Sequence, residues 1–81
     1  MTTVHKFPFK ALDAIEVPGA PLHVNFDPKG ELVAWVLMDD SPTHRVVVRG
    51  TGHDLPDGEW RYLNTFMSEP FVFHAFAEVV A

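Results

Sequence analysis

The strongest structural signal in the chain lies at residues 22–38, which read LHVNFDPKGELVAWVLM. In the first half, apolar Leu22, Val24 and Phe26 alternate with polar residues, as in a strand that has one face in water. Residues 27–30 fit a type I turn, with proline in second place and glycine closing it. Residues 32–38 are apolar at every position, so the second strand should be covered on both faces. The segment predicts a β-hairpin.

Turn-type clusters divide the rest of the chain at intervals of roughly 8–12 residues, which leaves segments too short for good helices. Four further strands are predicted, and Pro8 places the first of them at a sheet edge because proline has no N–H for a ladder bond. These segments are 4–10, 14–17, 43–49 and 71–80.

Residues 60–67 allow two interpretations. Asp57 could cap a helix whose apolar stripe is Trp60, Leu63 and Met67, whereas the bulky aromatic residues at 60, 62 and 66 favour a strand. We favour the strand. The whole pattern predicts one small domain, residues 1–81, of the all-β class: an antiparallel sandwich or partly open barrel of about six or seven strands.

Composition excludes several functional classes. Six Lys and Arg stand against 11 Asp and Glu, for a net charge of −5, and an acidic surface repels nucleic-acid phosphates. The longest apolar run, 32–38, is far shorter than the ~20 residues of a membrane-spanning helix, and the first residues lack an apolar signal core. The chain has no cysteine, as is usual in a reducing compartment. We expect a cytoplasmic protein that binds neither nucleic acid nor membrane.

Four sequence features occur together in a known order: HKFPF at 5–9, Trp35 in an apolar strand, GTGH at 50–53 and VFHAF at 72–76. This combination resembles a family of short bacteriophage-encoded proteins of unknown function, with the pattern K-[YF]-P, W, G-T-G-H and V-F-H-x-F. The resemblance covers essentially the whole chain. It implies a phage origin and action in the host bacterial cytoplasm, and it supplies no activity or site.

The candidate ligand site is the turn Gly50-Thr51-Gly52-His53, with His74 from the last strand as its partner. Two glycines let the backbone approach a ligand closely, and successive N–H groups there could form an anion nest. His53 and His74 could then hold or polarise the bound group. The structural alternative is a tight bend in which His53 bonds to the backbone, and nothing in the sequence shows whether the two histidines meet.

Other catalytic and metal chemistry finds little support. Ser41 and Ser68 lie in proline-containing turns rather than in a nucleophile motif, so no catalytic residue is assigned. Without cysteine, a metal site would need scattered imidazoles to converge, and we predict no metal and no cofactor. His5, His23 and His44 are interpreted as surface residues.

Ten aromatic side chains exceed what one thin core must hold, so some are expected at an interface. The candidates are Trp35, Trp60, Phe71 and Phe73. The leading hypothesis is a non-enzymatic protein-binding module, a phage accessory protein that modulates or inhibits a host protein. Its acidic loop, residues 54–59, would face a basic partner. The alternative is a small-ligand or nucleotide binder, or a hydrolase, at the 50–53 turn.

The strands that are apolar on both faces also bear on assembly. In a two-layer domain the second face of 32–38 and of 71–80 would be wet, and soluble monomers rarely expose so large an apolar patch. A homodimer centred on Trp35 or Phe73 would bury it. Alternatively, loops 10–21 and 50–59 fold over that face within one chain.

Overall fold

The computed structural model describes residues 2–11 and 13–80, which form seven strands and no helix. Strands β1-β4-β3 make one antiparallel sheet, sheet A, and β2-β5-β7-β6 make the other, sheet B. The predicted all-β sandwich is confirmed with seven strands, and over the described residues the sheets do not close into a barrel. The strands are β1 Thr3–Pro8, β2 Ala14–Val17, β3 Ala20–Phe26, β4 Leu32–Met38, β5 His44–Gly50, β6 Arg61–Ser68 and β7 Phe71–Val79.

The predicted hairpin is strands β3 and β4, and its turn has the expected geometry. The Gly30 N–H donates to the Asp27 carbonyl at 2.9 Å, and the Asp27 N–H donates to the Glu31 carbonyl at 2.8 Å. Gly30 has a φ of +86°, a conformation that glycine adopts without steric cost. The strand preference at 60–67 is also confirmed, because β6 covers Arg61–Ser68.

The buried carboxylate of Asp27 holds the turn and the first strand together. Its Oδ1 accepts the backbone N–H groups of Lys29 and Glu31, and its Oδ2 lies 2.8 Å from Lys6 Nζ. The hydrogen bond from Lys6 is the main cause that lowers the pKa of Asp27 below its usual 3.8, and the two backbone donors act in the same direction. The folded state therefore favours the ionised carboxylate.

This shift predicts acid sensitivity. A lowered pKa in the folded state gives stability that is complete above about pH 5 and lost as the pH falls below about 4. We expect the urea midpoint of the wild type to fall between pH 7 and pH 3, and that of Asp27→Asn to fall less. Some pH dependence should persist, because hydrogen bonds from Ser41 also lower the pKa of Asp39. The exposed Asp57→Asn variant is the control, and its urea midpoint should respond to pH as that of the wild type does. A pH response of Asp27→Asn equal to that of the wild type would contradict the prediction.

The core lies between the two sheets. Val24, Ala34 and Val36 of sheet A face Val46 and Val48 of sheet B, and each is fully removed from solvent. Ala75 and Ala77 of β7 keep the layers close, while Phe66 packs edge-on against Phe26 at a centroid distance of 5.7 Å. Small and β-branched residues thus fill a thin interlayer space.

Asn64 of β6 joins the sheets by a pair of hydrogen bonds. Its Oδ1 accepts the Val24 N–H at 2.9 Å, and its Nδ2 donates to the Val24 carbonyl at 2.7 Å. The side-chain amide therefore takes the place of a neighbouring strand's peptide group at the open edge of β3. An irregularity in the β6–β7 register between Tyr62 and Asn64 accompanies this contact.

Residues 51–60, here called the crossover segment, run over the outer face of sheet B. Strands β5 and β6 are parallel, since both pair antiparallel with β7 between them, so their connection must cross that strand. The segment contacts outer-face side chains: Arg45 lies 5.8 Å from the Trp60 ring centroid, and Glu78 accepts the Glu59 N–H. Val47, which shares this face, is only 1% exposed.

The second apolar face of sheet B is therefore partly covered within the chain, as the loop alternative predicted for 50–59. On sheet A, Val33 is buried and Trp35 and Leu37 are half-buried on the outer face. The homodimer stays a prediction.

Candidate functional site

The turn at 50–53 leaves the end of β5 as a tight bend. The His53 N–H donates to the Gly50 carbonyl at 3.1 Å, and Gly52 has a φ of +88°, which a type II turn requires at its third position. A Cβ on Gly50 would lie 3.3 Å from His53 Nδ1, so the absence of a side chain there lets the imidazole approach the backbone. The geometry of the turn thus explains why both positions are glycine.

Thr51 connects this turn to β7. Its N–H donates to the Val72 carbonyl at 3.2 Å, and its hydroxyl lies 2.8 Å from His74 Nε2. The other ring nitrogen of His74 lies 3.0 Å from the Thr65 hydroxyl, which in turn bonds the Tyr62 hydroxyl at 2.8 Å. A chain of four side chains thus crosses the outer face of β7 and β6. The structure thus brings the His74 imidazole to the Thr51 hydroxyl, and in residues 2–11 and 13–80 no hydrogen bond joins it to His53.

This chain of hydrogen bonds has defined chemical limits. Hydroxyl groups both donate and accept, so they accommodate either tautomer of the His74 ring and also its protonated form. The group that orients the imidazole is the Thr65 hydroxyl, whereas activated nucleophiles in hydrolases usually rely on a carboxylate in that place. The arrangement holds the 51–53 turn against the sheet, and it positions Thr51 at the edge of a cleft.

That cleft, here called the turn cleft, has a volume of about 520 Å³ and lies at the end of sheet B where β5 ends and β7 begins. One wall is the predicted turn, and the other is the start of β7 with the proline of the cis Glu69–Pro70 peptide. The cleft is lined by Gly50, Thr51, His53, Pro70, Phe71, Val72 and Phe73. Three residues of the predicted ligand site and two of the predicted interface therefore share one cavity.

The four predicted interface aromatics lie in three places. Phe71 is 63% exposed at the mouth of the turn cleft, while Phe73 stacks on Phe66 at 5.6 Å and packs against the core. Trp60 is half-buried at the end of the crossover segment, where its Nε1 donates to the Pro56 carbonyl. Trp35 lies on the outer face of sheet A beside His23, at a centroid distance of 6.1 Å.

The interpretation of His44 as a surface residue is wrong. His44 is only 6% exposed, and its Nδ1 lies 2.9 Å from the Gly19 carbonyl and 2.7 Å from that of Pro42. The sequence contains a signal for the burial of His44. Alternate residues of a strand point to the same face, so His44 lies on the same face as Val46 and Val48, which face the core. A polar residue on that face should have been assigned to the interior with a backbone partner.

Two structural features are absent from residues 2–11 and 13–80. No helix there has the length and apolar character to cross a membrane. In the same residues, no group of three or more His, Asp or Glu side chains is placed to hold a metal ion.

Comparison with known proteins extends these observations. A search of curated proteins and a search of solved structures each gave no match. The sequence matches a family described as a domain of unknown function, DUF7352, and the match spans residues 1–81. The chain therefore belongs to the DUF7352 family over its full length.

Proposed function

We propose that this protein is a non-enzymatic binding module, which recognises a basic protein partner through an apolar patch beside the turn cleft. The observation that carries the proposal is the exposure of three large side chains along β6 and the start of β7. Tyr62 is 57% exposed, and Met67 and Phe71 are each 63% exposed. Met67 pairs with Val72, next to Phe71, at the end of sheet B where the turn cleft lies, whereas Tyr62 pairs with Phe76 nearer the other end. We call Met67 and Phe71 the apolar patch.

Exposure of this kind needs a reason in so small a domain. Other aromatic residues of the chain, such as Phe66 and Phe26, are packed in or against the core. Single exposed apolar residues are ordinary, whereas neighbouring ones beside a cavity are typical of interaction sites. Aromatic residues and methionine are enriched at protein interfaces, where a few central residues provide most of the binding energy. The patch and the cleft together fit an apolar anchor side chain from a partner.

The charge around the patch indicates the chemistry of that partner. The crossover segment starts at the wall of the turn cleft and carries three exposed acidic residues, Asp54, Asp57 and Glu59. The chain as a whole has a net charge of −5. Complementary charge accelerates association and excludes wrong partners, so a basic surface around an apolar anchor is the favoured complement.

The resemblance to short phage-encoded proteins gives this proposal a biological setting. A phage protein of this kind would act in the host bacterial cytoplasm, and its partner would be a host protein that it modulates or inhibits. That setting rests on the sequence pattern alone, whereas the nature of the partner surface rests on the apolar patch and the acidic segment.

The test compares capture by the wild type with capture by Phe71→Ser and Met67→Ser, in bacterial lysate and then with the purified captured protein. We expect the association constant to fall about tenfold or more in each variant, as for central interface residues. It should also fall as salt is raised. Val4→Ser is the matched control, because Val4 is 53% exposed on the outer face of sheet A.

Equal binding by all four proteins would contradict the proposal, as would a captured protein whose affinity is independent of salt. Melting curves exclude unfolding as the cause of any loss, since the substituted side chains are exposed and should contribute little to stability.

A second candidate function has one specific observation in its favour. The turn cleft holds Thr51 and His53 at hydrogen-bonding positions beside aromatic Phe71 and Phe73, as a site for a small ligand or nucleotide would require. Under this hypothesis, at least one compound in a screen of small molecules raises the melting temperature of the wild type. His53→Ala abolishes that rise and Val4→Ser does not.

A further inference from the structure

We propose that a second cleft, at the opposite end of sheet B, binds a small zwitterion of the amino-acid type. This cleft, here called the His44 cleft, has a volume of about 350 Å³ and lies where β5 and β6 begin and β7 ends. Strand β5 begins at His44 and ends at Gly50, so the two clefts are separated by about 20 Å at ~3.3 Å per residue. The inference concerns a different cleft from the proposed function, and the two proposals share only the exposed residue Glu59.

His44 provides a fixed hydrogen-bonding group in this cleft. Its Nδ1 is bound to the carbonyls of Gly19 and Pro42, while its Nε2 has no hydrogen-bond partner among the described residues. Within that part of the chain, no buried side-chain nitrogen or oxygen lacks a partner. Nε2 must therefore reach solvent, although the residue is only 6% exposed, and His44 lines the cleft.

The two carbonyls also determine whether Nε2 donates or accepts a hydrogen bond. A carbonyl can only accept, so Nδ1 must carry the proton, and the neutral ring then has its lone pair on Nε2. An acceptor held in this way, on a nearly buried ring with a fixed orientation, suits an N–H donor of a ligand. An ammonium group is such a donor.

The lining of the cleft includes one positive side chain, Arg61, and two negative ones, Glu59 and Glu78. Glu59 and Arg61 are both exposed, are two residues apart and line the same cleft. Neither forms an ion pair with any other described residue, whereas neighbouring Glu78 is paired with Arg45 and accepts the Glu59 N–H. Two unpaired opposite charges side by side are complementary to a ligand that carries both, with its carboxylate on Arg61 and its ammonium on Glu59.

The remaining wall sets the size of the ligand. Ala20, Pro42, Ala77 and Val79 give the cleft an apolar side with small residues. A volume of about 350 Å³ is at the lower end of the range for small-molecule sites. The small apolar side chains of this wall favour a free amino acid with a short apolar side chain, such as alanine or valine.

The test is titration of the ¹⁵N-labelled protein with alanine, followed by nuclear magnetic resonance. We expect saturable shifts at His44, Ala77 and Val79. We also expect binding about fivefold weaker, or more, in Arg61→Gln and in Glu59→Gln, which each remove one charge contact. N-Acetylalanine and alaninamide, which each lack one of the two charges, should bind weaker by a similar factor. Lys29→Gln and Glu69→Gln are the matched controls and should bind as the wild type does.

Three results would overturn the inference: no saturation up to the solubility limit of alanine, equal binding of N-acetylalanine, or unchanged affinity in Arg61→Gln and Glu59→Gln. Both variants alter exposed side chains, so they should remain folded. Because the apolar patch lies at the other end of sheet B, Phe71→Ser should leave the alanine titration unchanged, and failure of one proposal leaves the other intact.

Discussion

The Asn64→Ala variant is expected to lose about 2–4 kcal/mol of unfolding free energy. The substitution removes both hydrogen bonds to Val24, whose backbone belongs to a residue with no exposed surface. A buried donor or acceptor left without a partner costs about 1–3 kcal/mol, and here one of each is affected. The total unfolding free energy of a domain of 81 residues is roughly 4–12 kcal/mol, so this loss is a large fraction of it.

Urea denaturation at pH 7 measures the effect, and Asn25→Ala serves as the control. Asn25 is the other asparagine of the chain, and in the part of the chain that the structure describes its side chain bonds only the N–H of the next residue, Phe26. The control should lose less than about 1 kcal/mol. Equal losses in the two variants would show that Asn64 does not fasten the sheets together.

Gly19→Ala should be destabilising by about 2–3 kcal/mol, because the new methyl group has no room. A Cβ at Gly19 would clash with the carbonyl oxygen of Leu37 and would lie 3.1 Å from Val36 Cγ1. The first of these atoms is backbone in the central strand of sheet A, so rotation of a side chain cannot relieve the contact. The Gly19 carbonyl also accepts the His44 hydrogen bond, and a shift of this segment would weaken it.

Thermal and urea unfolding of Gly19→Ala are compared with those of Gly50→Ala. At Gly50 the nearest atom is Nδ1 of the exposed His53 ring, at 3.3 Å, and that ring can rotate away. The Gly50 variant should therefore lose less than about 1 kcal/mol. A Gly19→Ala protein as stable as the wild type would mean that β3 and β4 can separate there without cost.

The strands could be predicted because their signals are local. Alternation in 22–26 and in 43–49, together with the turn chemistry of 27–30, required no knowledge of the partner strands. The hairpin was therefore predicted with the correct β4 bounds and with the correct turn. The choice of strand for 60–67 also followed from residue type alone.

The site was less predictable because its geometry depends on which strands become neighbours. Asn64 meets Val24 across 40 residues of sequence, and Thr51 meets His74 across 23. Neither pairing has a local signature. The turn cleft combines residues that were singled out separately as ligand and interface candidates, and only the placement of β7 beside β5 brings them together.

The position of β7 has a consequence for how the protein is made. This last strand lies in the middle of sheet B, paired with β5 on one side and β6 on the other. A ribosome delivers residues in order, so β5 and β6 emerge before the strand that joins them. A nascent chain that ends before residue 71 therefore has the strands of sheet A and the β2-β5 pair, while the edges of β5 and β6 that β7 joins are unpaired and open to wrong pairing. Productive folding of this domain is thus expected to begin only after β7 leaves the ribosome.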